Sequence, residues 1–171
     1  ITTCGYATTD FDLWPETSKM ILVLLMFIGA CAGSTGGGFK ISRLLILCKA
    51  IPKQLSLVIH PREVKVIRMD GKPIDHNTLR STNVYLAIYF FILLVSTLLI
   101  SVDNFNLTTN FTAVASTLNN IGPGLDGVGP TRNFGMYSDF SKFVLMFDML
   151  AGRLELYPLL ILFMPSLWRR K

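Results

Sequence analysis

The second half of the chain places apolar and glycine-rich segments in an order that few folds accommodate. An apolar span from Thr82 to Val102 carries no charge. It is followed by the amphipathic run Thr108 to Asn119, then by the turn Asn120 to Gly124, and finally by an apolar segment from Ser138 to about Leu167. This order predicts a membrane helix, a short re-entrant helix, a backbone loop and a second membrane helix. Irregular backbone is tolerated at membrane depth only where it is shielded from lipid, so the turn is predicted to line a pore.

Composition places the chain in a bilayer, and the positions of its charges orient it. Apolar residues make up 51% of the chain and charged residues 16%, below the quarter typical of soluble domains, with a mean hydropathy of +0.49. The net charge of +5 would suit nucleic acid, but the basic residues concentrate between positions 40 and 80 and at the chain end. By the positive-inside rule, residues 52–81 and the C-terminus are expected to be cytoplasmic, and nucleic acid is not an expected partner.

A glycine run interrupts the first apolar stretch. The segment Lys19 to Ala32 is shorter than the roughly 20 residues that a spanning helix needs, and Gly33 to Gly38 contains four glycines in six residues. Each glycine costs a helix about 1 kcal/mol relative to alanine, so a broken helix is predicted, resuming from Phe39 to Ile51. The run lacks the Gly-Lys-Ser/Thr ending of a phosphate-binding loop. A helix-packing tract of small residues and an irregular intramembrane loop are the two remaining interpretations, and we favour the loop.

An internal repeat links the two ends of the chain. Ser18 to Gly29 aligns without gaps with Ser141 to Gly152, and a glycine loop precedes each copy. We therefore expect an all-α polytopic membrane protein built from tandem helix, pore-loop, helix repeats. The predicted parts are residues 1–51, the end of one repeat with its loop and broken helix; residues 52–81, a basic link with a possible hairpin around Asp70-Gly71; and residues 82–171, a complete repeat.

Several motifs together resemble the membrane subunit of Trk-type potassium uptake systems, in the Trk/Ktr/HKT superfamily. They extend over essentially all 171 residues and are Thr3 to Tyr6, Trp14-Pro15-Glu16, Met26 to Lys40, Leu118 to Gly124 and Gly152-Arg153-Leu154-Glu155. Members of this family carry four tandem helix-loop-helix repeats around one pore. The resemblance implies that this sequence contains the third repeat from its filter onward and the whole fourth repeat.

The resemblance also implies roles for individual residues. Each family repeat supplies one filter loop with a key glycine, and glycine suits a loop whose carbonyls must point at an ion at φ values that a Cβ opposes. The implied filter is Thr3, Cys4, Gly5, Tyr6, Asn120, Ile121, Gly122 and Pro123, with a potassium ion, not covalently bound, at Cys4, Gly5, Ile121 and Gly122. The implied gate is Gly33, Ser34, Thr35, Gly36, Gly37, Gly38 and Arg153. The alternative for Gly122-Pro123-Gly124 is an ordinary external turn.

Arg153 is the most informative single residue. A charge near the middle of a membrane helix costs about 2.5–3.5 kcal/mol on insertion scales, so Arg153 is expected to face the pore or a carboxylate. Asp148 and Glu155 lie five and two residues away on the same helix, a poor spacing for a facing pair. A structural bridge between helices is the alternative to a cation beside the gate. If Arg153 restrains the gate, Arg153→Ala should increase flux.

The chain shows no catalytic serine-histidine-acid set, metal cluster or paired carboxylates, so it is not expected to be an enzyme. By resemblance, the partners are the lipid bilayer of the bacterial inner membrane, a second copy in a homodimer, and a cytosolic regulatory subunit that binds NAD or ATP. A secondary transporter with discontinuous helices and a non-conducting assembly fragment are the alternatives. Both repeat copies follow a filter and run parallel, which favours a pore. With two of four filter loops, the 171 residues alone are expected to conduct nothing.

Overall fold

A computed structural model describes residues 3–29, 31, 37–60, 66–69, 71–154 and 161 of the chain. Its main elements are five helices and one small hairpin. The helices are α1 (Glu16–Phe27), α2 (Ile41–Ile59), α3 (His76–Ile100), α4 (Leu107–Leu118) and α5 (Asp139–Leu154), and the hairpin strands are β1 (Arg68–Met69) and β2 (Lys72–Pro73). The core forms where α3, α4 and α5 meet, around buried Leu93, Ile100, Val114 and Leu118.

Helix α1 and helix α2 are the two halves of the predicted broken helix. Helix α1 stops at Phe27 rather than at the predicted Ala32, and Gly29 N–H donates to the carbonyl of Phe39 over 2.9 Å, so the two halves are joined at their facing ends. The expected end of the second half at Ile51 is wrong, because α2 continues to Ile59 with Pro52 in its interior. Proline removes one helical hydrogen bond, but the apolar spacing persists beyond it and sustains the helix.

The predicted hairpin is present in the basic link. Strand β1 pairs antiparallel with β2, with Arg68 opposite Pro73 and Met69 opposite Lys72. Gly71 adopts a φ of +77°, which the tight turn requires and which glycine tolerates without a Cβ penalty. The outer part of the predicted hairpin, Val64 and Lys65, lies outside the described residues.

Helix α3 is the predicted spanning helix, although it starts earlier than Thr82. Together with the 3-10 turn Ser101–Asp103 it gives 28 residues with a mean hydropathy of 2.4 in their most apolar window, and within the described part of the chain it is the helix long and apolar enough to cross a membrane. It begins at His76, directly after the flanking residue Asp75, so the polar residues from 76 to 81 form its first turns.

Helix α4 confirms the predicted short re-entrant helix to within one residue. Nearly all of it is buried although it is rich in threonine, serine and alanine; its buried residues are Thr109, Asn110, Thr112, Ala113, Val114, Ala115, Ser116, Thr117 and Leu118. Small side chains allow α1, α3 and α5 to approach its backbone closely, and its hydroxyl groups bond to carbonyls of its own turns, as Thr117 does to Ala113 over 2.9 Å.

The internal repeat is visible in the backbone and is longer than the sequence alignment indicated. At the constant offset of 123 positions, α1 and α5 start at equivalent residues, Glu16 and Asp139. The 3-10 turns ahead of them, Phe11–Leu13 and Phe134–Met136, are also equivalent. Each turn is capped by the side chain of the preceding residue, Asp10 or Asn133, which accepts a hydrogen bond from the backbone two residues on.

Candidate ion-conduction site

The two predicted filter loops have the same backbone pattern. In each loop a non-glycine residue with positive φ stands two positions before a positive-φ glycine: Thr3 at 54° precedes Gly5 at +76°, and Asn120 at 53° precedes Gly122 at +116°. Left-handed conformations cost about 1–2 kcal/mol for a residue with a Cβ, so they persist only where the surroundings enforce them. A shared irregular pattern therefore marks the loops as structural equivalents.

The structure places the two loops side by side. A Cβ added to Gly5 would lie 2.6 Å from the carbonyl oxygen of Ile121, and a Cβ on Gly122 would lie 3.3 Å from the Cα of Gly5. A cavity of about 200 Å³ adjoins both loops and is lined by Thr3, Cys4, Gly5 and Tyr6 together with Ile121 and Pro123. All four predicted filter residues of the first loop and two of the second thus border one space, with the Ile121 carbonyl facing the first loop.

The second loop is anchored to the helix that precedes it. Ile121 N–H donates to the carbonyl of Ser116 over 2.9 Å, and the Ser116 hydroxyl donates to the carbonyl oxygen of Gly122 over 2.6 Å. Beyond the loop, Leu125 N–H donates to the Thr112 hydroxyl over 3.1 Å. The loop conformation is therefore held by side chains on one face of α4, and the Gly122 carbonyl engages Ser116 rather than standing open.

The glycine segment of the predicted gate is described only at its exit, Gly37 and Gly38, because Gly33, Ser34, Thr35 and Gly36 lie outside the described residues. Glu155 also lies outside them. Gly37 and Gly38 press against the C-terminus of α4: a Cβ on Gly37 would lie 2.6 Å from the Asn119 carbonyl oxygen, and one on Gly38 would overlap the Asn119 side-chain oxygen. Gly38 also has a φ of +80°. Glycine is required at both positions for close approach to α4, the helix that precedes the second predicted filter loop.

Asn119 connects the gate exit to helix α3. It is 1% exposed, its side-chain amide donates to the Ala115 carbonyl over 2.7 Å, and its side-chain oxygen accepts from the Tyr89 hydroxyl over 2.9 Å. Sequence analysis treated Asn119 as the end of the amphipathic run and did not assign it a role. Tyr89 is one of several polar residues in the span of α3, so the sequence offered no signal that singled out its contact with Asn119.

An aromatic cluster fixes the chain immediately after the gate exit. Phe39 packs on Tyr85 and Tyr89 of α3, with ring centroids 5.9 and 6.3 Å apart. The Arg43 guanidinium, one turn into α2, lies 3.9 Å from the centre of the Tyr85 ring. Cation–π and tilted ring contacts of this kind supply roughly 0.5–2 kcal/mol each where they are desolvated. The first turn of α2 is thereby attached to the neighbouring repeat.

Arg153 lies in the last described turn of α5, next to a glycine that packs on α4. A Cβ on Gly152 would overlap the Leu118 carbonyl oxygen and lie 2.7 Å from the Asn120 side-chain amide. Asn120 in turn donates to the Met149 carbonyl over 3.1 Å. The structure thus brings Arg153 to the helix end that also contacts Gly37 and Gly38, while its own side chain is exposed.

Asp148 points away from Arg153 and toward α3. It is fully buried, and one carboxyl oxygen accepts from the Ser96 hydroxyl over 2.7 Å, while the other has no hydrogen-bond partner among the described residues. The expectation that Asp148 does not pair with Arg153 is therefore confirmed by geometry. A polar link between α3 and α5 was not foreseen, although an Asp within an apolar helix is itself a signal.

The segments that follow the two loops are tied together across the repeats. The Asp12 carboxylate accepts from Asp126 N–H over 3.0 Å, and a Cβ on Gly129 would overlap the Asp12 carboxylate. Side-chain hydrogen bonds from Asn106 and Thr109 hold the pKa of the Asp126 carboxyl below its usual range, so it is ionised at neutral pH. This contact joins the outer ends of the two loop regions, and sequence analysis missed it.

The arrangement defines an all-α membrane protein with pore-loop helix repeats. The chain belongs to the TrkH family of cation transport proteins, which matches residues 1–170. It is 39% identical over 168 residues to the Trk system potassium uptake protein TrkH of Vibrio parahaemolyticus, covering 98% of this chain and 34% of that protein. It is 37% identical over 168 residues to the Trk system potassium uptake protein TrkH of Escherichia coli K12, with the same coverage.

A solved structure agrees with the sequence comparisons. The crystal structure of the potassium transporter TrkH from Vibrio parahaemolyticus superimposes with a TM-score of 0.87 at 39% identity, covering 98% of this chain and 36% of that one. The chain thus spans about a third of the length of the relatives it matches. The resemblance inferred from the motifs is confirmed.

Proposed function

We propose that this chain supplies the last part of a four-repeat pore that takes up potassium across the bacterial inner membrane. Potassium would pass beside the backbone of Thr3 to Tyr6 and of Asn120 to Pro123. The observation that carries the proposal is the contact between two loops of the same backbone pattern. The Ile121 carbonyl oxygen lies so close to Gly5 that a Cβ added there would be only 2.6 Å from it. Carbonyl groups at this depth can replace the hydration shell of a monovalent cation.

The coordination would involve a switch at Gly122. Its carbonyl oxygen accepts from Ser116 in this structure, so it would become an ion ligand only when that hydroxyl turns away or shares the oxygen. The Ile121 carbonyl forms no backbone hydrogen bond among the described contacts and is the more direct ligand. The gate would be the segment from Gly33 to Gly38, with Arg153 beside it at the end of α4. In that position a positive charge raises the barrier to potassium.

We infer the assembly around the pore from the resemblance to the family. Residues 52–81 and the C-terminus would face the cytoplasm, two copies of the complete protein would pair, and a cytosolic nucleotide-binding subunit would regulate the gate. Support for the orientation comes from the basic residues between positions 40 and 80, at the end of α3 that carries His76, and from the scarcity of basic residues beside the loops.

The test compares two glycines with nearly the same backbone conformation. Gly5 has a φ of +76° at the loop contact, and Gly71 has a φ of +77° in the hairpin, where a Cβ would meet nothing within 4 Å. Gly5→Ala and Gly71→Ala introduce the same conformational strain, but only the first displaces a loop carbonyl. In the complete protein, expressed in bacteria that lack other potassium uptake, Gly5→Ala should reduce rubidium uptake at least roughly tenfold, the ratio equivalent to 1.4 kcal/mol.

Gly71→Ala is expected to leave uptake close to that of the unaltered protein at equal membrane abundance. Equal rubidium uptake by the two variants, with sodium excluded as well by Gly5→Ala as by Gly71→Ala, would contradict the proposed path. A Gly5→Ala protein that keeps its rate but admits sodium as readily as rubidium would support it, because the displaced carbonyl would then be acting in selection.

A further inference from the structure

A basic cavity lies between the middle of α2 and the hairpin, and none of the loop residues lines it. It encloses about 300 Å³ and is lined by Lys49, Pro52, Lys53, Val66, Ile67 and Arg68. Three of these six residues are cationic and none is acidic. The Lys49 ammonium donates to the Arg68 carbonyl over 2.9 Å, which holds the hairpin against α2 and leaves two of the three ammonium protons for another acceptor.

A larger, mostly apolar groove begins where the basic cavity ends. It encloses about 550 Å³ between α2 and α3, and its walls include Leu47, Leu57, Leu79 and Leu86. Lys53 lines both spaces, so the charged cavity and the apolar groove meet at one side chain. The groove follows α2 from Leu47 to Leu57, which are about 15 Å apart at 1.5 Å per residue. Its shape suits an extended hydrocarbon chain whose charged end is held by lysines.

The depth of the two spaces fits the boundary of a bilayer. The groove is lined by His76, the first residue of α3, and by Leu86 within its apolar span, so the groove crosses from the polar start of α3 into the span, and the basic cavity joins it at Lys53. The adjoining face of α2 is an apolar stripe at helical spacing, in which Ile51, Leu55, Val58 and Ile59 are each at least 60% exposed. Apolar stripes beside lysines are typical of helices that lie in the membrane interface.

We propose that the basic cavity and the groove form a site for one anionic phospholipid, with the phosphate between Lys49, Lys53 and Arg68 and an acyl chain between α2 and α3. Because α2 begins at Ile41, two residues beyond the aromatic cluster at Phe39, an occupant of this site contacts the helix that leads directly to the gate exit. The lipid would therefore stabilise α2 in its packed position. The inference rests on the membrane placement in the proposed function, but not on conduction.

The competing occupants differ in what they need. A free phosphate would use the basic cavity and leave the groove empty, and a cytosolic protein would have to cover an exposed aliphatic stripe that is continuous with the apolar span. A phospholipid satisfies both the charge and the groove. Juxtamembrane lysine and arginine residues contribute to anionic lipid binding additively, so the loss of two lysines should remove most of the preference.

The test uses the complete protein in detergent and native mass spectrometry with phosphatidylglycerol and phosphatidylcholine of matched acyl chains. The unaltered protein should retain phosphatidylglycerol about tenfold more tightly than phosphatidylcholine, and Lys49→Gln with Lys53→Gln should bring the ratio close to unity. Arg80→Gln is the matched control, because Arg80 is exposed at the same end of α3 and lines neither space. It should keep the preference.

Three outcomes would overturn the site. Equal retention of the two lipids by the unaltered protein, an unchanged preference in the double lysine variant, and displacement of phosphatidylglycerol by millimolar inorganic phosphate each contradict it. A double variant that keeps its lipid preference but no longer binds a cytosolic subunit would assign the surface to that protein instead. Rubidium uptake by the unaltered protein, measured in parallel, separates the two proposals. If that protein prefers phosphatidylglycerol but takes up no rubidium, only the proposed function is refuted.

Discussion

Two regions of this chain, residues 10–29 and 133–152, have the same local structure and different surroundings. Both begin with a capped 3-10 turn, both start a helix at the same relative position, and both carry an acid–lysine pair in the first turn, Glu16 with Lys19 and Asp139 with Lys142. Both end in a glycine. The equivalence shows that the local sequence is sufficient to specify a local structure twice in one protein.

The copies differ in what their final glycines contact. A Cβ on Gly29 would lie 2.8 Å from the carbonyl oxygen of Phe39, so the first copy ends against the other half of its own broken helix. Gly152 instead packs against Leu118 at the end of α4, and α5 continues past it. The second difference is Leu25 in the first copy, where the second has buried Asp148. Tertiary contacts give one repeated helix two different endings.

The substitution expected to have the largest effect on the difference between the two copies is Gly152→Ala. The added methyl group overlaps the Leu118 carbonyl, so α5 and α4 must separate, at a cost of about 1–3 kcal/mol or more, against about 1 kcal/mol gained in helix propensity. We expect the lowest melting temperature of the series, measured by thermal aggregation in detergent, and loss of uptake. Gly29→Ala is the paired control and should be less harmful, because its clash is smaller. A lower melting temperature for Gly29→Ala than for Gly152→Ala would contradict the conclusion that Gly152 makes the tighter contact.

Ser96→Ala should have the next largest effect. It removes the hydrogen bond to Asp148 and leaves the buried carboxyl group without a partner, which is expected to cost about 1.5 kcal/mol. Asp148→Leu introduces the residue of the first copy. Because leucine needs no partner, the double variant Ser96→Ala, Asp148→Leu should be more stable than Ser96→Ala alone. Additive losses would show that the two residues are not coupled.

Tyr89→Phe should follow, at about 1 kcal/mol. The substitution keeps the ring against Phe39 but removes the hydroxyl that satisfies the buried oxygen of Asn119. Since Asn119 supports the helix end on which the second copy packs, we expect a lower melting temperature together with altered rubidium flux. Tyr6→Phe is the control. Because Tyr6 is 98% exposed, the melting temperature of this variant should equal that of the unaltered protein. A shift of equal size in both variants would contradict the role of Asn119.

The smallest effect is predicted for the ion pairs that the copies share. Lys19 lies 2.9 Å from Glu16, and Lys142 lies 3.6 Å from Asp139. Exposed pairs at this spacing contribute roughly 0.2–0.5 kcal/mol, so Lys19→Ala and Lys142→Ala should each lower the melting temperature only slightly and by similar amounts. A large drop in melting temperature in only one of the two variants would mean that its lysine makes a further contact that the equivalent lysine lacks.

Sequence reasoning recovered the elements that depend on local pattern. The order of spanning helix, short helix, loop and helix is present, the short helix is right to within one residue, and the hairpin forms with Gly71 in its turn. It misjudged α2 at Pro52, because one missing hydrogen bond did not outweigh a continuing apolar pattern. It also stopped the repeat at Ser18, although Phe11 and Phe134 are separated by the same 123 positions as the matched segments.

The candidate site was predictable in its residue types but not in its contacts. Gly5 and Gly122 are 117 positions apart, whereas the helices that follow are 123 apart, so the second copy carries six extra residues after its loop. Those residues include the region of Asp126, which reaches Asp12 in the first copy. No local signal reports such a contact, because its two sides are separated by more than a hundred residues.

By itself, the sequence determined a membrane-spanning α-helical chain, the two glycine loops, the broken helix and the family, since apolar span, glycine position and repeat spacing are properties of neighbouring residues. Only the tertiary structure decided that the loops touch, that Ser116 holds the Gly122 carbonyl, and that Gly37, Gly38 and Gly152 converge on the end of α4. The physical reason is that close backbone packing is a relation between distant segments, fixed by which carbonyls and hydroxyls meet once the helices are assembled.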